Sequence, residues 1–145
     1  MSEARPRPDV EALSVLAAAQ MRMRARIERA LPSQVSATAF EALEQLAGGR
    51  PTSPAELAGR LGLSRPAFSH VLSRLEGAGW AAVAGDPADG RRKVLTLTSA
   101  GAAMHRQCLA ATRAERTSLR RAVRPQDAEA ALPFLRGLSD WLTAS

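Results

Sequence analysis

The stretch from Ser53 to Gly101 places the strongest constraint on how this 145-residue chain folds. Ser53 is followed by a proline and, three residues after the serine, by Glu56, which together predict a capping box with proline at the first helical position. Gly62 then allows a sharp turn before a second capping residue, Ser64. Two short helices joined by a tight glycine turn form a helix-turn-helix, and the sequence predicts one here.

The second helix of this unit has an apolar side and a polar side. Phe68, Val71 and Leu75 are predicted to face the core, which leaves a small, polar and positive face outward. An ordinary solvated helix face is the alternative, but the preceding turn and the following hairpin favour contact with DNA bases and phosphates. The outward residues are Arg65, Pro66, Ser69, His70, Ser73 and Arg74.

A two-stranded hairpin is predicted to follow. Residues 80–84 begin a strand, residues 85–90 form a turn, and residues 91–98 return as a strand rich in leucine and β-branched side chains. The tip is basic, which either makes the hairpin soluble or, beside a helix-turn-helix, contacts DNA. Its basic residues are Arg91, Arg92 and Lys93.

Helices are predicted on both sides of this unit. Asp9 is expected to cap a helix that ends near Ala30, and Ser36 is expected to cap the next. Ser99 is expected to cap a helix of roughly 35 Å, because no breaker occurs before Pro125, where a last helix begins. The predicted fold class is therefore mainly α with a small β-hairpin wing, in the order α-α-α-α-β-β-α-α.

These elements predict three parts. Residues 1–8 form a disordered tail, residues 9–35 and 102–145 form a helical dimerisation region, and residues 36–101 form a winged helix-turn-helix domain. The flanking helices carry broad apolar stripes, and one of them exceeds the span of a small core, so a partner surface is needed. A second copy of the chain is the expected partner.

The charge balance favours a polyanion as partner. The chain carries 20 Lys and Arg residues against 14 acidic ones, a net charge of +6. All of these cations except Lys93 are arginine, and a GC-rich genome is an alternative explanation for part of that excess. A positive protein still meets nucleic acid faster, whatever the origin of its charge.

Other classes of protein are disfavoured by the chemistry of the chain. One cysteine, Cys108, excludes an internal disulfide and favours a cytoplasmic protein, and no segment predicts a membrane span or a signal peptide. His70 and His105, with that cysteine and no glycine-rich phosphate loop, form no catalytic or metal-binding pattern. No enzyme activity, cofactor or metal site is expected.

The motifs resemble those of the MarR-type winged helix-turn-helix transcription regulators. The similarity rests on Leu61-Gly62-Leu63-Ser64 and, at the wing, on Asp89 and Arg91 followed at fixed spacing by Leu97, Thr98 and Gly101. The resemblance implies a homodimer with intertwined terminal helices that binds a pseudo-palindromic double-stranded operator, most often as a repressor. It places Arg91 in the minor groove with Asp89 as its orienting partner. On the recognition helix it carries over Ser64, Arg65, Ser69, His70 and Arg74.

Two departures from the family pattern keep an alternative open. Ala82, Val83 and Ala84 occupy the first wing strand, where relatives commonly carry an acidic or polar residue and then arginines, and His70 stands where arginine is frequent. The alternative is a winged-helix protein with weakened DNA binding that acts through contacts with other proteins.

The resemblance also implies a small aromatic or carboxylate ligand that releases the DNA. Such a ligand would lie between the dimer helices and the winged domain, among aliphatic and methionine side chains, because aromatic residues are few. The alternative is that these side chains fill the core, and Cys108 is expected to be a buried structural residue rather than a redox sensor. The candidate pocket residues are Met21, Arg24, Phe40, Met104 and Cys108.

Overall fold

The computed structural model describes residues 7–144 and confirms the predicted fold class. Across these residues, seven helices accompany a two-stranded antiparallel hairpin. The elements are α1 (Pro8–Ala30), α2 (Ala37–Ala47), α3 (Pro54–Arg60), α4 (Arg65–Gly77), β1 (Ala81–Gly85), β2 (Lys93–Leu97), α5 (Ser99–Ala111), α6 (Arg113–Ala122) and α7 (Pro125–Ala144). Residues 1–6 of the predicted tail lie outside the described residues, and Pro8 is already the first residue of α1.

Three predicted helix starts are confirmed by their capping hydrogen bonds. The side-chain oxygens of Ser36, Ser53 and Ser64 each accept a hydrogen bond from the backbone N–H three residues later. Glu56 completes the capping box, because its carboxylate accepts a hydrogen bond from the backbone N–H of Ser53 at 3.2 Å. The helix-turn-helix therefore begins where the sequence predicts.

Two other predicted caps are wrong. The residue before α1 is Arg7, which makes no side-chain capping bond, so Asp9 lies inside the first turn and does not cap the helix. At α5 the cap is Thr98, whose hydroxyl oxygen accepts a hydrogen bond from the N–H of Gly101 at 3.0 Å, and Ser99 is the first helical residue.

The second strand of the hairpin is shorter than predicted, and the first is shifted by one residue. The paired residues run from Ala81 with Leu97 to Gly85 with Lys93, so Arg91 and Arg92 lie in the connecting loop. The other edge of β2 pairs at one point with Thr52, whose carbonyl accepts the N–H of Leu95 at 2.8 Å. This bridge ties the hairpin to the segment that precedes α3.

The predicted long helix after the hairpin is interrupted at Thr112. The Thr112 hydroxyl donates a hydrogen bond to the carbonyl oxygen of Cys108 at 2.8 Å, four residues earlier, and the backbone leaves helical geometry there. Such back-bonding by threonine bends helices. The prediction of one uninterrupted helix from residue 99 to Pro125 is therefore wrong, and α5 and α6 replace it.

The chain divides into one compact unit up to Thr112 and a second from Arg113 onward. The core of the first unit contains the fully buried side chains of Leu43 in α2, Leu57 in α3, Leu75 in α4 and Leu95 in β2. Helix α4 and the hairpin therefore share one core. The second unit consists of α6 and α7, and within residues 7–144 no helix combines the length and apolar character needed to cross a membrane.

Candidate nucleic-acid interface

Helix α4 of the first unit presents a polar face to solvent. Phe68 and Leu75 are buried and fix the rotation of the helix about its axis. The positive φ of Gly62, 64°, forms the turn that separates α3 from α4. The residues of α4 and its cap that are predicted to contact DNA are all exposed, and they are Ser64, Arg65, Ser69, His70, Ser73 and Arg74.

The loop between the strands is closed by its own hydrogen bonds. The N–H of Asp86 donates to the carbonyl of Arg92 at 2.7 Å, and the N–H of Arg92 donates to the carbonyl of Asp89 at 3.0 Å. The Asp89 carboxylate accepts the backbone N–H of Arg91 at 3.1 Å. Asp89 therefore orders the backbone at the wing arginine, Arg91. It does so through the peptide N–H and not through the guanidinium.

The two arginines at the wing tip have different surroundings. Both side chains are exposed, and the Arg91 guanidinium has no hydrogen-bond or ion-pair partner among residues 7–144. The Arg92 guanidinium instead pairs with the carboxylate of Glu56 at the start of α3. The sequence pattern does not distinguish Arg91 from Arg92, because the partner of Arg92 is distant along the chain.

Thr98 and Gly101 fasten the hairpin to the end of α4. The Thr98 hydroxyl donates to the carbonyl of Gly79 at 2.5 Å, and its N–H donates to the carbonyl of Trp80 at 3.1 Å. A Cβ atom at Gly101 would lie 1.9 Å from the Trp80 carbonyl oxygen. Glycine is therefore required where α5 crosses this backbone, which explains the residue types at both positions and fixes the wing relative to α4.

The first strand of the wing offers no charged side chain. Ala82 and Ala84 in β1 are exposed, so the alanines occupy a solvent-facing position beside the loop. Any charged contact from the wing must come from the loop or from β2.

A cavity of about 570 Å³ lies beside the C-terminal half of α4. His70 and Arg74 line it from α4, while Thr38 lines it from α2 and Trp80 from the start of the hairpin. The sequence pattern predicts DNA contact for His70 and Arg74 and does not predict a cavity beside them. Their position at a cavity depends on the approach of α2, which the sequence pattern does not encode.

The five predicted pocket residues have different surroundings, although Phe40 packs against the core that contains Met104 and Cys108. Arg24 and Phe40 line a smaller cavity of about 220 Å³, where the Arg24 guanidinium already contacts Thr38 and lies 3.8 Å from Glu41. Met21 is 70% exposed, whereas Met104 and Cys108 belong to the core. Burial raises the pKa of the Cys108 thiol above its ordinary value. The larger cavity beside α4 is thus a different site from the predicted one.

Known proteins resemble this chain in sequence and in fold. Residues 33–92 match the model of the MarR family, which confirms the predicted resemblance over the helix-turn-helix and the first part of the wing. A search of curated protein sequences found no match.

Solved structures resemble the chain over nearly its full length. A probable transcriptional regulator from Pseudomonas aeruginosa is 26% identical, with a TM-score of 0.72 over 91% of this chain and 99% of that one. BpsR of Bordetella bronchiseptica, whose DNA binding is regulated by 6-hydroxynicotinic acid, is 26% identical, with a TM-score of 0.72 over 88% of this chain and 91% of that one. The repressor CouR, solved on a 23-mer DNA duplex, is 26% identical, with a TM-score of 0.73 over 95% and 99% of the two chains.

Proposed function

We propose that this chain is a DNA-binding transcription regulator of the MarR type, and that it forms a homodimer that binds a pseudo-palindromic operator and represses transcription. The observation that carries the proposal is the joint exposure of the polar face of α4 and of the unpaired Arg91 guanidinium, on elements that share one core. In the proposed complex, α4 enters the major groove and Arg91 reaches the minor groove. The DNA-bound structure of CouR, a repressor, supports the comparison.

The apolar surfaces of the terminal helices support the dimer. In the first unit, α1 exposes Leu13, Val15 and Met21. In the second unit, α7 exposes Trp141 and Leu142. Large exposed apolar side chains in such numbers mark an interface. A second copy of the chain would cover them and would set two α4 helices about one helical turn of DNA apart.

The test is selection of a binding site from random duplex DNA by the full-length chain. The proposal expects a two-fold symmetric sequence with half-site centres about 10 base pairs apart, bound by two chains. Selection of no sequence, with weak binding that salt abolishes, would contradict the proposal. That result would favour a winged-helix protein that acts through protein contacts, as the alanines of β1 suggest.

We further propose that a small aromatic carboxylate in the cavity beside α4 releases the operator. Val71 and Trp80 give the cavity apolar walls, and Arg74 supplies a cation for the carboxylate. A ligand that engages Arg74 removes it from DNA, which couples the two events. The regulation of BpsR by 6-hydroxynicotinic acid supports a ligand of this class.

Thermal unfolding in the presence of benzoate and hydroxybenzoates tests the ligand. Stabilisation that is lost in Arg74→Gln, together with release of the selected duplex by the same compound, is the expected result. A panel of such compounds that neither stabilises the protein nor releases DNA would refute the ligand proposal and leave the DNA-binding proposal intact.

A further inference from the structure

The Glu56 carboxylate is shared between two parts of the DNA-reading unit. Its Oε2 atom accepts the backbone N–H of Ser53 at 3.2 Å, which is one half of the capping box at the start of α3. Its Oε1 atom accepts a hydrogen bond from Nη2 of Arg92, which lies 36 residues later in the wing loop. One side chain thus joins the wing loop to the N-terminus of α3.

This contact distinguishes Arg92 from Arg91. The backbone N–H groups of both residues bond to Asp89, so the loop holds the two backbones in fixed positions. The Arg91 guanidinium is left for a ligand, whereas the Arg92 guanidinium is neutralised by a carboxylate. An ion pair with zero net charge attracts a phosphate far less than a lone guanidinium does.

We propose that Arg92 is a positioning residue for DNA binding and does not neutralise a phosphate. Through Glu56 it holds the wing loop against the start of α3, so that Arg91 can reach the minor groove while α4 occupies the major groove. This inference rests on the proposed function, because it concerns how the same surface reads DNA.

The architecture of the hairpin explains why such a contact is needed. The base of the hairpin is fixed by Thr98 against Gly79 and by the bridge between Leu95 and Thr52. The loop projects beyond these contacts, and a two-stranded ribbon alone is only marginally stable in water. The pair between Arg92 and Glu56 adds a contact where the loop joins β2, next to Arg91.

The substitution Glu56→Gln isolates the ion pair from the helix cap. Glutamine at this position preserves a capping box, so α3 keeps its start while the charge that holds Arg92 is lost. Exposed ion pairs are weak, and the operator carries two wings, so affinity for the selected duplex should fall by roughly fivefold to 25-fold. Thermal unfolding of the variant checks that the fold is intact.

Three further measurements separate positioning from phosphate contact. Arg92→Gln should weaken binding as Glu56→Gln does, and the double variant should be no weaker than the weaker single variant. The slope of log affinity against log salt concentration should be the same in all of these proteins. Arg92→Lys should retain most of the affinity, because it keeps a charge that can reach Glu56.

Direct phosphate contact by Arg92 predicts a different pattern. Arg92→Gln would then make the salt slope shallower by about 0.9 for each wing, and Glu56→Gln would leave affinity unchanged or raise it. Either result overturns the inference, as would full affinity in both single variants. Loss of all specific binding by the wild-type chain would instead overturn the proposed function, and the inference with it.

Discussion

At the scale of single residues, Gly101 shows how one position sets the geometry of the DNA-reading unit. A Cβ atom at this position would lie closer to the Trp80 carbonyl oxygen and to the Leu97 side chain than any Cβ atom tolerates. The neighbouring Thr98 hydroxyl both caps α5 and bonds to Gly79. The close approach of α5 to the backbone of Trp80, just before β1, therefore depends on these two residues.

Substitution of Gly101 by alanine should destabilise the protein by about 3 kcal/mol or more, because the new Cβ forces backbone apart in a packed core. Chemical denaturation measures the change in the free energy of unfolding. Gly59→Ala is the matched control, since that glycine lies in α3 with nothing within 4 Å of an added Cβ. The control should be neutral or slightly stabilising, and equal losses in both variants would contradict the close approach at Gly101.

The buried Cys108 thiol predicts the pH dependence of stability. Burial raises its folded pKa, so above about pH 9.0, its ordinary value, the unfolded chain loses a proton that the folded chain keeps. Stability should therefore fall as pH rises through this range, by at most about 1.4 kcal/mol per pH unit for one proton.

Because the chain has no tyrosine and a single lysine, few other side chains titrate in this pH range. Denaturant unfolding from pH 8 to 10 should show the decline in the wild-type chain. Cys108→Ala should be less stable at neutral pH but should lack most of the alkaline decline. The same decline in both proteins would assign the effect to other groups.

At the scale of elements, the sequence predicted what is local. The caps at Ser36, Ser53 and Ser64 depend on bonds within four residues, so composition and spacing were sufficient. The interruption at Thr112 was missed because threonine occurs within helices as well as at their ends, and no proline or glycine marks the position.

The candidate interface divides in the same way. The solvent face of α4 follows from helical periodicity, and the structure places its predicted residues there. The pairing of Arg92 with Glu56 and the cavity at Arg74 both involve residues that are distant in sequence, so no local pattern predicts them. The predicted ligand pocket stays a prediction: Met21 is exposed on α1, whereas Met104 and Cys108 are buried in the core against which Phe40 packs.

At the scale of the whole molecule, the exposed apolar side chains of α1 and α7 support the proposed dimer. Trp141 is 65% exposed, which is costly for a side chain of its size in a monomer. Trp141→Glu should convert the proposed dimer into monomers and should weaken operator binding, since two linked half-sites bind more tightly than one.

Sedimentation equilibrium measures this change directly. The exposed Gln126, on the same helix, provides a control in Gln126→Glu, which adds the same charge and should leave the dimer intact. A wild-type protein that sediments as a monomer at micromolar concentration would contradict the proposed assembly.

The central claim, that α4 and the wing tip form one DNA-binding surface, is tested most directly by the affinity of Arg91→Ala for the selected duplex. Loss of the groove contact in both half-sites should weaken binding by tenfold or more, at roughly 1 to 3 kcal/mol for each charged hydrogen bond lost, while the dimer persists. Arg106→Ala, which removes an exposed arginine from α5, should bind almost as the wild type does. Equal affinity of the Arg91→Ala and wild-type proteins would contradict the account.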